Sequence, residues 1–349
     1  MKIFITGGLG FIGSNYILAK ISDLSTKILN YDKITYAANL DNLSGISNQS
    51  NYTLVEGDIC DYKKISSSIN EFKPDIIINF AAESHVDRSI ESPMNFIQTN
   101  VMGTANLLEA AYQHYQSLDD KNRFKFLHIS TDEVFGELEN EGFFDESSLY
   151  SPNSPYSASK ASSDHLVRAW GNTFGLPVMI SNCSNNFGPF QFPEKLIPLM
   201  IIKCLNKESL PVYGKGENIR DWIHVSDHCS AIDCILDKGN IGETYLIGSQ
   251  SEKKNIDIVN MICDYFNDIA IDEDNFNYHS LIHFVEDRPG HDFRYAIDNS
   301  KIKNKLGWKP KYSFQDALSE TIEWYIENRD WYKNILKRNK MERLGLIKK

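Results

Sequence analysis

Tyr156 and Lys160 stand four residues apart in a stretch that Pro155 opens as a helix, so both side chains project from one face. A free tyrosine ionises near pH ~10, so it becomes a useful base at neutral pH only with a nearby ammonium and the positive nicotinamide ring. A packed aromatic next to a solvated lysine would give the same spacing by chance, and the pair therefore needs support from elsewhere in the chain. Ser130, Thr131, Asp132 and Glu133 supply it. They follow the apolar run Phe126 to Ile129 directly, where a strand ends and ligands are met. Thr131 can hydrogen-bond a ligand hydroxyl. Two adjacent carboxylates offer an acid and a base when their surroundings push their pKa values apart. The plainer alternative is a helix cap with an acidic neighbour.

Gly7, Gly10 and Gly13 come straight after the apolar segment Lys2 to Thr6 and before a helical stretch, Ser14 to Lys20. Glycine there permits a tight turn, close approach of backbone to a pyrophosphate, and phosphates at a helix N-terminus. The spacing Gly-x-x-Gly-x-x-Gly departs from the commoner Gly-x-Gly-x-x-Gly, and taken alone it fits a simple strand-to-helix turn equally well. Asp32 changes that balance. It ends the next apolar run roughly twenty residues past the last glycine, where a carboxylate accepts ribose hydroxyls and repels a 2′-phosphate, favouring NAD over NADP. Asp58, after the third run, is read either as a helix cap or as an adenosine contact. Ala81 and Ala82 close the fourth run with side chains small enough to let a cofactor lie against the backbone.

These residues require a scaffold that brings strand ends together. Apolar, β-rich runs at Lys2 to Thr6, Lys27 to Asp32, Tyr52 to Asp58, Asp75 to Ala82, Phe124 to Thr131 and Pro177 to Cys183 alternate with helical stretches. Parallel strands buried on both faces read as continuous hydrophobic runs, and Ile76-Ile77-Ile78 is one. The expected fold is α/β: a doubly wound parallel sheet of Rossmann type with a smaller, interleaved C-terminal substrate domain. The expected division is 1–182 for the NAD-binding domain and 183–349 mainly for substrate. The run Glu243 to Gly248 returns to the first sheet, so about 222–248 joins the first domain. The Lys- and Arg-rich tail from Asn328 to Lys349 is read as helical with a solvated face.

A formal charge of −11 argues against a nucleic-acid partner, because duplex binding rests on clustered cations. Any anionic ligand must be met by local arginine or lysine. The six cysteines form no CxxC pair and no zinc spacing, and are expected reduced and mostly buried, with no metal. The chain starts without a signal-peptide pattern and shows no membrane span, which suggests a cytoplasmic protein.

The segments Gly7 to Gly13, Ala81 to Ser89 and Ser130 to Gly136, the pair Tyr156 and Lys160, and Asn182 to Leu196 together resemble the dTDP-glucose 4,6-dehydratases. These form a branch of the extended short-chain dehydrogenase/reductase family. The likeness runs in order from residue 1 to about 325, and Asp132-Glu133 is its most specific sign, since related epimerases lack the pair. It implies conversion of dTDP-glucose to dTDP-4-keto-6-deoxyglucose, with NAD recycled within each turnover. Tyr156 would take the 4-hydroxyl proton with Lys160 and Thr131 in support, Glu133 would remove the carbon 5 proton, and Asp132 would protonate the departing 6-hydroxyl. Around the cofactor it implies Gly7, Gly10, Phe11, Ile12, Gly13, Asp32, Asp58, Ile59, Ala81, Ala82, Ser84, Tyr156 and Lys160. Around the substrate it implies Ser84, Thr131, Asn185, Glu194, Lys195, Leu196, Pro211, Tyr213, Arg220, Asn255, Arg288 and His291, with Arg220 and Arg288 on the diphosphate. His85 is a weaker candidate. A homodimer through helices at about 100–115 and 156–174 is also implied. Three positions depart from the pattern: Phe135 and Phe187 where the family usually has tyrosine, and Phe293 where arginine is frequent. The competing readings are a dehydratase of UDP-, CDP- or GDP-sugars, a nucleotide-sugar epimerase or decarboxylase, and a non-catalytic NAD-sensing protein.

Overall fold

The structure is a computed structural model and describes residues 1–269 and 276–338. The first half alternates strand and helix. β1 (Lys2–Thr6), α1 (Phe11–Lys20), β2 (Lys27–Asp32), β3 (Tyr52–Glu56), α2 (Tyr62–Phe72) and β4 (Ile76–Asn79) come first. After the short helices α3 (Val86–Glu91) and α4 (Pro93–Phe96) follow α5 (Thr104–Gln116), β5 (Lys125–Thr131), α6 (Pro155–Phe174) and β6 (Val178–Cys183). The second half holds β7 (Asn185–Phe187), α7 (Leu196–Leu205), β8 (Leu210–Tyr213), β9 (Ile219–His224), α8 (Val225–Lys238) and β10 (Thr244–Ile247). It ends with β11 (Glu252–Lys254), α9 (Asn255–Asp268), β12 (Ile282–Val285), α10 (Phe314–Glu327) and α11 (Arg329–Arg338).

Seven strands form one sheet in the order β10-β6-β5-β4-β1-β2-β3, and every pair in it is parallel. The chain winds outward from β1 in one direction and from β4 in the other, so β1 and β4 flank the switch point at which such sheets bind ligands. Side chains alternate between the two faces. Ile3, Ile5, Ile78, Leu127 and Met179 enter one core with Tyr16, Ile17 and Ile232, while Phe4, Ile77, Phe126 and Val178 enter the other with Leu107, Leu108 and Val167. Burial on both faces explains why the sequence runs are continuously apolar.

β7, β9 and β11 make a small second sheet, β8 and β12 a third, and these pack with α7, α9 and α10 around a separate core. The chain crosses between the two lobes more than once: β9 belongs to the small sheet, α8 packs on α1, and β10 completes the large sheet beside β6. Two expectations are corrected. The runs at 52–58 and 75–82 stop being strand at Glu56 and Asn79, because the residues after them turn into the ligand cleft. The tail is not a solvated face over its described length: Trp331, Tyr332 and Ile335 of α11 are buried in the second core, and Trp331 Nε1 donates to Asn42 Oδ1 at 2.7 Å. The remainder of that tail, 339–349, lies outside the described residues. Among the described residues no helix is long and apolar enough to cross a membrane.

Candidate active site

Gly7 leaves β1 with φ +71°, and a Cβ there would stand 2.7 Å from the Ala81 backbone. At Gly13 a Cβ would lie 2.5 Å from the Gly7 carbonyl oxygen. The ends of β1 and β4 are therefore pinched together, and only glycine fits the bend. Gly10 caps α1 without any side-chain hydrogen bond, so the first N–H groups of that helix remain available to an anion. Asn30 Oδ1 accepts the Gly8 N–H at 3.0 Å, and the Asp32 carboxylate accepts those of Leu9 and Ile34 at 2.9 and 2.8 Å. Burial raises the Asp32 pKa, and these two N–H groups oppose that shift. Ala81, Ala82 and Ser84 line the same cleft, as do Gly7, Gly10, Phe11, Ile12, Gly13, Asp32, Asp58 and Ile59. Asp58 is not a helix cap: Asp61 caps α2, and Asp58 instead pairs with Lys33 at 2.7 Å. A small-residue wall, an open helix N-terminus and a carboxylate at the β2 end together fit a dinucleotide.

Further along the cleft, β5 delivers Thr131, Asp132 and Glu133, and α6 delivers Tyr156 and Lys160. Ser154 and Ser157 form a reciprocal cap at the start of α6, and Pro155 occupies its first turn, so the entry angle that aims Tyr156 is firmly set. Phe96 packs edge-on to the Tyr156 ring at 6.3 Å. Thr131 caps the tight turn Asp132–Phe135: its hydroxyl accepts the Glu133 N–H and donates to Asp132 Oδ1, each at 3.3 Å. Asp132 and Glu133 differ in their surroundings. The Asp132 pKa is pushed well up by burial and by the carboxylates of Glu133 and Asp221, and its Oδ2 has no hydrogen-bond partner among the described residues. Burial also raises Glu133, but Arg288, Arg220 and Lys195 pull it back toward the ionised form. The surroundings therefore favour the protonated form more strongly at 132 than at 133.

The surroundings of Tyr156 work against its ionisation. Burial, then the negative charge of Glu133, raises its pKa well above that of a free phenol, while the Thr131 hydroxyl acts the other way. The Lys160 ammonium sits deeper than its partner, donating to the Ile129 carbonyl at 2.8 Å. The surrounding polypeptide therefore favours the protonated phenol, and added positive charge in the cleft would draw it down.

Asn185, Glu194 and Lys195 reach the cleft from the second lobe, whereas Leu196, at the start of α7, packs largely into the second core. Glu194 accepts from Tyr36 Oη and Arg88 Nε, both at 3.2 Å, Arg88 lies 3.8 Å over the Tyr36 ring, and Lys195 Nζ donates to the Ser84 carbonyl at 3.0 Å. These contacts tie the lobes across the cleft. The remaining predicted residues stand outside the cleft lining. Arg288 binds Asp87, which also accepts from Tyr213 Oη at 3.1 Å, and the Arg288 Nε is buried without a hydrogen-bond partner among the described residues. His291 lies 6.2 Å from the Tyr213 ring and bonds Asp287 at 2.7 Å. Arg220 is more committed than expected, donating to the carbonyls of Ile219, Asp292 and Phe293 while stacking 4.2 Å over Tyr295. Pro211 pairs within the β8-β12 sheet, and Asn255 opens α9 with its N–H on the Asn218 carbonyl. His85 accepts the Arg88 N–H as the α3 cap, and its pKa falls to about 2 through burial and neighbouring cations, a structural role. Phe135 stacks on Phe144, and Phe187 packs against Trp222 and Phe314, so both rings sit in apolar settings.

Sequence reasoning missed Lys33, Asp87, the Tyr36–Arg88 pair and the buried Asp164. Asp164 continues the four-residue rhythm of Tyr156 and Lys160, which was a readable signal. The others are met only through contacts distant in sequence.

The family described as GDP-mannose 4,6 dehydratase matches residues 4–321. Within it, the chain is 51% identical over 344 residues to a dTDP-glucose 4,6-dehydratase of Xanthomonas campestris pv. campestris, covering 98% of each chain. Among solved structures it is similar to the dTDP-glucose 4,6-dehydratase of Bacillus anthracis in complex with NAD, with 42% identity, a TM-score of 0.85 and coverage of 96% and 99%. The Streptomyces venezuelae dTDP-glucose 4,6-dehydratase, solved with NAD and TYD bound, gives 40% identity, a TM-score of 0.87 and coverage of 96% and 100%. The chain belongs to the dTDP-glucose 4,6-dehydratase family.

Proposed function

We propose that this protein is an NAD-dependent hydro-lyase that converts dTDP-glucose to dTDP-4-keto-6-deoxyglucose. The observation that carries this reading is the unequal environment of Asp132 and Glu133 in the cleft that also holds Tyr156. The glycine bend, Asp32 and the Ala81–Ala82 wall would hold NAD, which would supply an acceptor for the carbon 4 hydride and a hydride donor for carbon 6. Tyr156 takes the 4-hydroxyl proton, and the resulting ketone acidifies carbon 5. Glu133, faced by three cations, removes the carbon 5 proton and later restores one, while Asp132, kept protonated, gives its proton to the leaving 6-hydroxyl, which departs as water. Over one turnover Tyr156 gains a proton and Asp132 loses one. The Thr131 hydroxyl, beside the phenol and bonded to Asp132, stands where a proton returns between them.

Arg288, with a planar fork and an Nε without a hydrogen-bond partner among the described residues, meets the diphosphate, together with Arg220 once its guanidinium turns from the carbonyls it holds. Residues 1–182 with about 222–248 serve the cofactor, and the rest mainly the nucleotide sugar. The protein acts in the cytoplasm as a homodimer paired through α5 and α6, near which Met94, Met102 and Phe174 are exposed.

Offering the purified protein dTDP-, UDP-, CDP- and GDP-glucose separately tests the reading by mass spectrometry. Loss of one water from dTDP-glucose is expected. An isomer of unchanged mass would make the protein an epimerase, and loss of water from another nucleotide sugar in preference would move the base specificity.

A further inference from the structure

Between β7 and α7, residues 189–195 leave the second lobe and touch the first lobe twice. Their base is set in the second core: the Phe190 ring stands 5.0 Å from Trp324 and 5.9 Å from Trp331, and Tyr325 Oη donates to the Gln191 carbonyl. The first contact is at Pro189, whose carbonyl accepts from Asn15 Nδ2 of α1 at 2.9 Å. That helix begins on the glycine bend. The second contact is at Glu194 and Lys195, which meet the loop after β2 and the residues that lead into α3. Between these two points Phe192, Glu194 and Lys195 line the cleft that Gly10, Asp32 and Ala81 also line. A dinucleotide in that cleft is therefore bounded on one side by this segment.

The second contact is built around one carboxylate. Glu194 Oε1 accepts from Tyr36 Oη and Oε2 from Arg88 Nε, each at 3.2 Å. The Arg88 guanidinium lies 3.8 Å over the Tyr36 ring, and Phe192 meets the same ring edge-on at 5.5 Å. Tyr36 and Arg88 thus hold each other as well as Glu194. Lys195 Nζ adds its bond to the Ser84 carbonyl at 3.0 Å. The Glu194 side chain is only 10% exposed, so water competes weakly for its oxygens. Tyr36 and Arg88 stand behind this wall, outside the cleft lining, and reach its contents through Glu194.

We propose that residues 189–195 form a strap along the NAD half of the cleft, and that Glu194, clasped by Tyr36 and Arg88, sets how fast the cofactor enters and leaves. The base of the strap cannot swing without unpacking two tryptophans, whereas its tip is held to the first lobe by three hydrogen bonds. Polar contacts near a surface open more readily than a packed aromatic core, so the tip is the part that moves. Slow exit suits the reaction proposed above, in which NAD is restored within each turnover and need not leave.

The test needs no sugar nucleotide. Protein loaded with radiolabelled NAD is mixed with a large excess of unlabelled NAD, and the label still held after rapid gel filtration, followed against time, gives the exit rate. Tyr36→Phe deletes one oxygen and leaves the ring packed under Arg88, and it should speed exit by about tenfold or more, the worth of one hydrogen bond to a carboxylate. Arg88→Met removes the second bond and the stack together and should speed exit further. Combining Tyr36→Phe with Glu194→Gln should give less than the product of the two single effects, because both remove the same bond. A clasp obstructs both directions, so the equilibrium affinity for NAD should change much less than the exit rate. Unchanged exit in both Tyr36→Phe and Arg88→Met overturns the proposal. Faster exit matched by an equal loss of affinity also overturns it, since these residues would then belong to the bed of the cofactor. Failure to dehydrate dTDP-glucose would refute the proposed function alone, and the exchange rates would still report on the clasp.

Discussion

The proposed chemistry falls to Thr131, Asp132, Glu133 and Tyr156, and two of these roles are tested by removing one function. Glu133→Gln keeps shape and loses the base, so adding substrate should still produce reduced-nicotinamide absorbance while dehydrated product falls by about a hundredfold or more. Normal product formation would remove Glu133 from its role. Tyr156→Phe deletes the phenol that starts the sequence, and no absorbance should then appear on mixing; a prompt signal would assign the first proton to another group. Which acid does what was implied by the family resemblance alone, since as bare residues 132 and 133 are simply adjacent carboxylates. Their difference arises from Asp221, Arg220, Lys195 and Arg288, all remote in the chain. The Tyr156–Lys160 spacing was legible, yet it suggested a more acidic phenol than the folded chain provides, because i, i+4 spacing puts side chains on a shared face without fixing where the longer one ends.

Among the elements, the bend between β1 and α1 is the least forgiving. Gly13→Ala would press a methyl onto the Gly7 carbonyl oxygen at 2.5 Å, opening the turn on which the phosphates lie. Cofactor retention through gel filtration should be lost, with thermal unfolding lowered by the equivalent of about 1–3 kcal/mol. Full retention of NAD would show that the bend does not hold it. The strands and their parallel order were readable from continuous apolar runs, since a strand covered on both faces has no polar side to show. Strand ends were not: β3 and β4 stop short of the apolar run because the next residues face ligand instead of core. α11 was misread for the opposite reason. Its lysines and arginines dominate the composition, but Trp331, Tyr332 and Ile335 fall on one side of the helix and are covered by α10 and the second core.

For the molecule as a whole, buried histidines set an acid limit. His85, His224, His228 and His291 have folded pKa values of about 2, 4, 3 and 4, each lowered chiefly by burial. Unfolding returns each to an ordinary value near ~6.5, so between these limits the unfolded chain binds more protons. Their contribution to stability is whole above pH ~6.5 and declines below it, each histidine costing on the order of 1 kcal/mol per pH unit. The NMR titration of these four rings should show none of them protonating between pH 7 and 5; a ring that titrates near ~6.5 in the folded protein would take its share out of this loss.

Threading β10 in beside β6 also bears on how the protein is made. While the first two hundred residues emerge from a ribosome, β6 remains an open border whose N–H and C=O groups await residues 244–247, and such borders attract other chains. Newly synthesised protein is thus most prone to clumping during that interval, and fragments ending between β6 and β10 should collect in inclusion bodies while those reaching beyond β10 do so less.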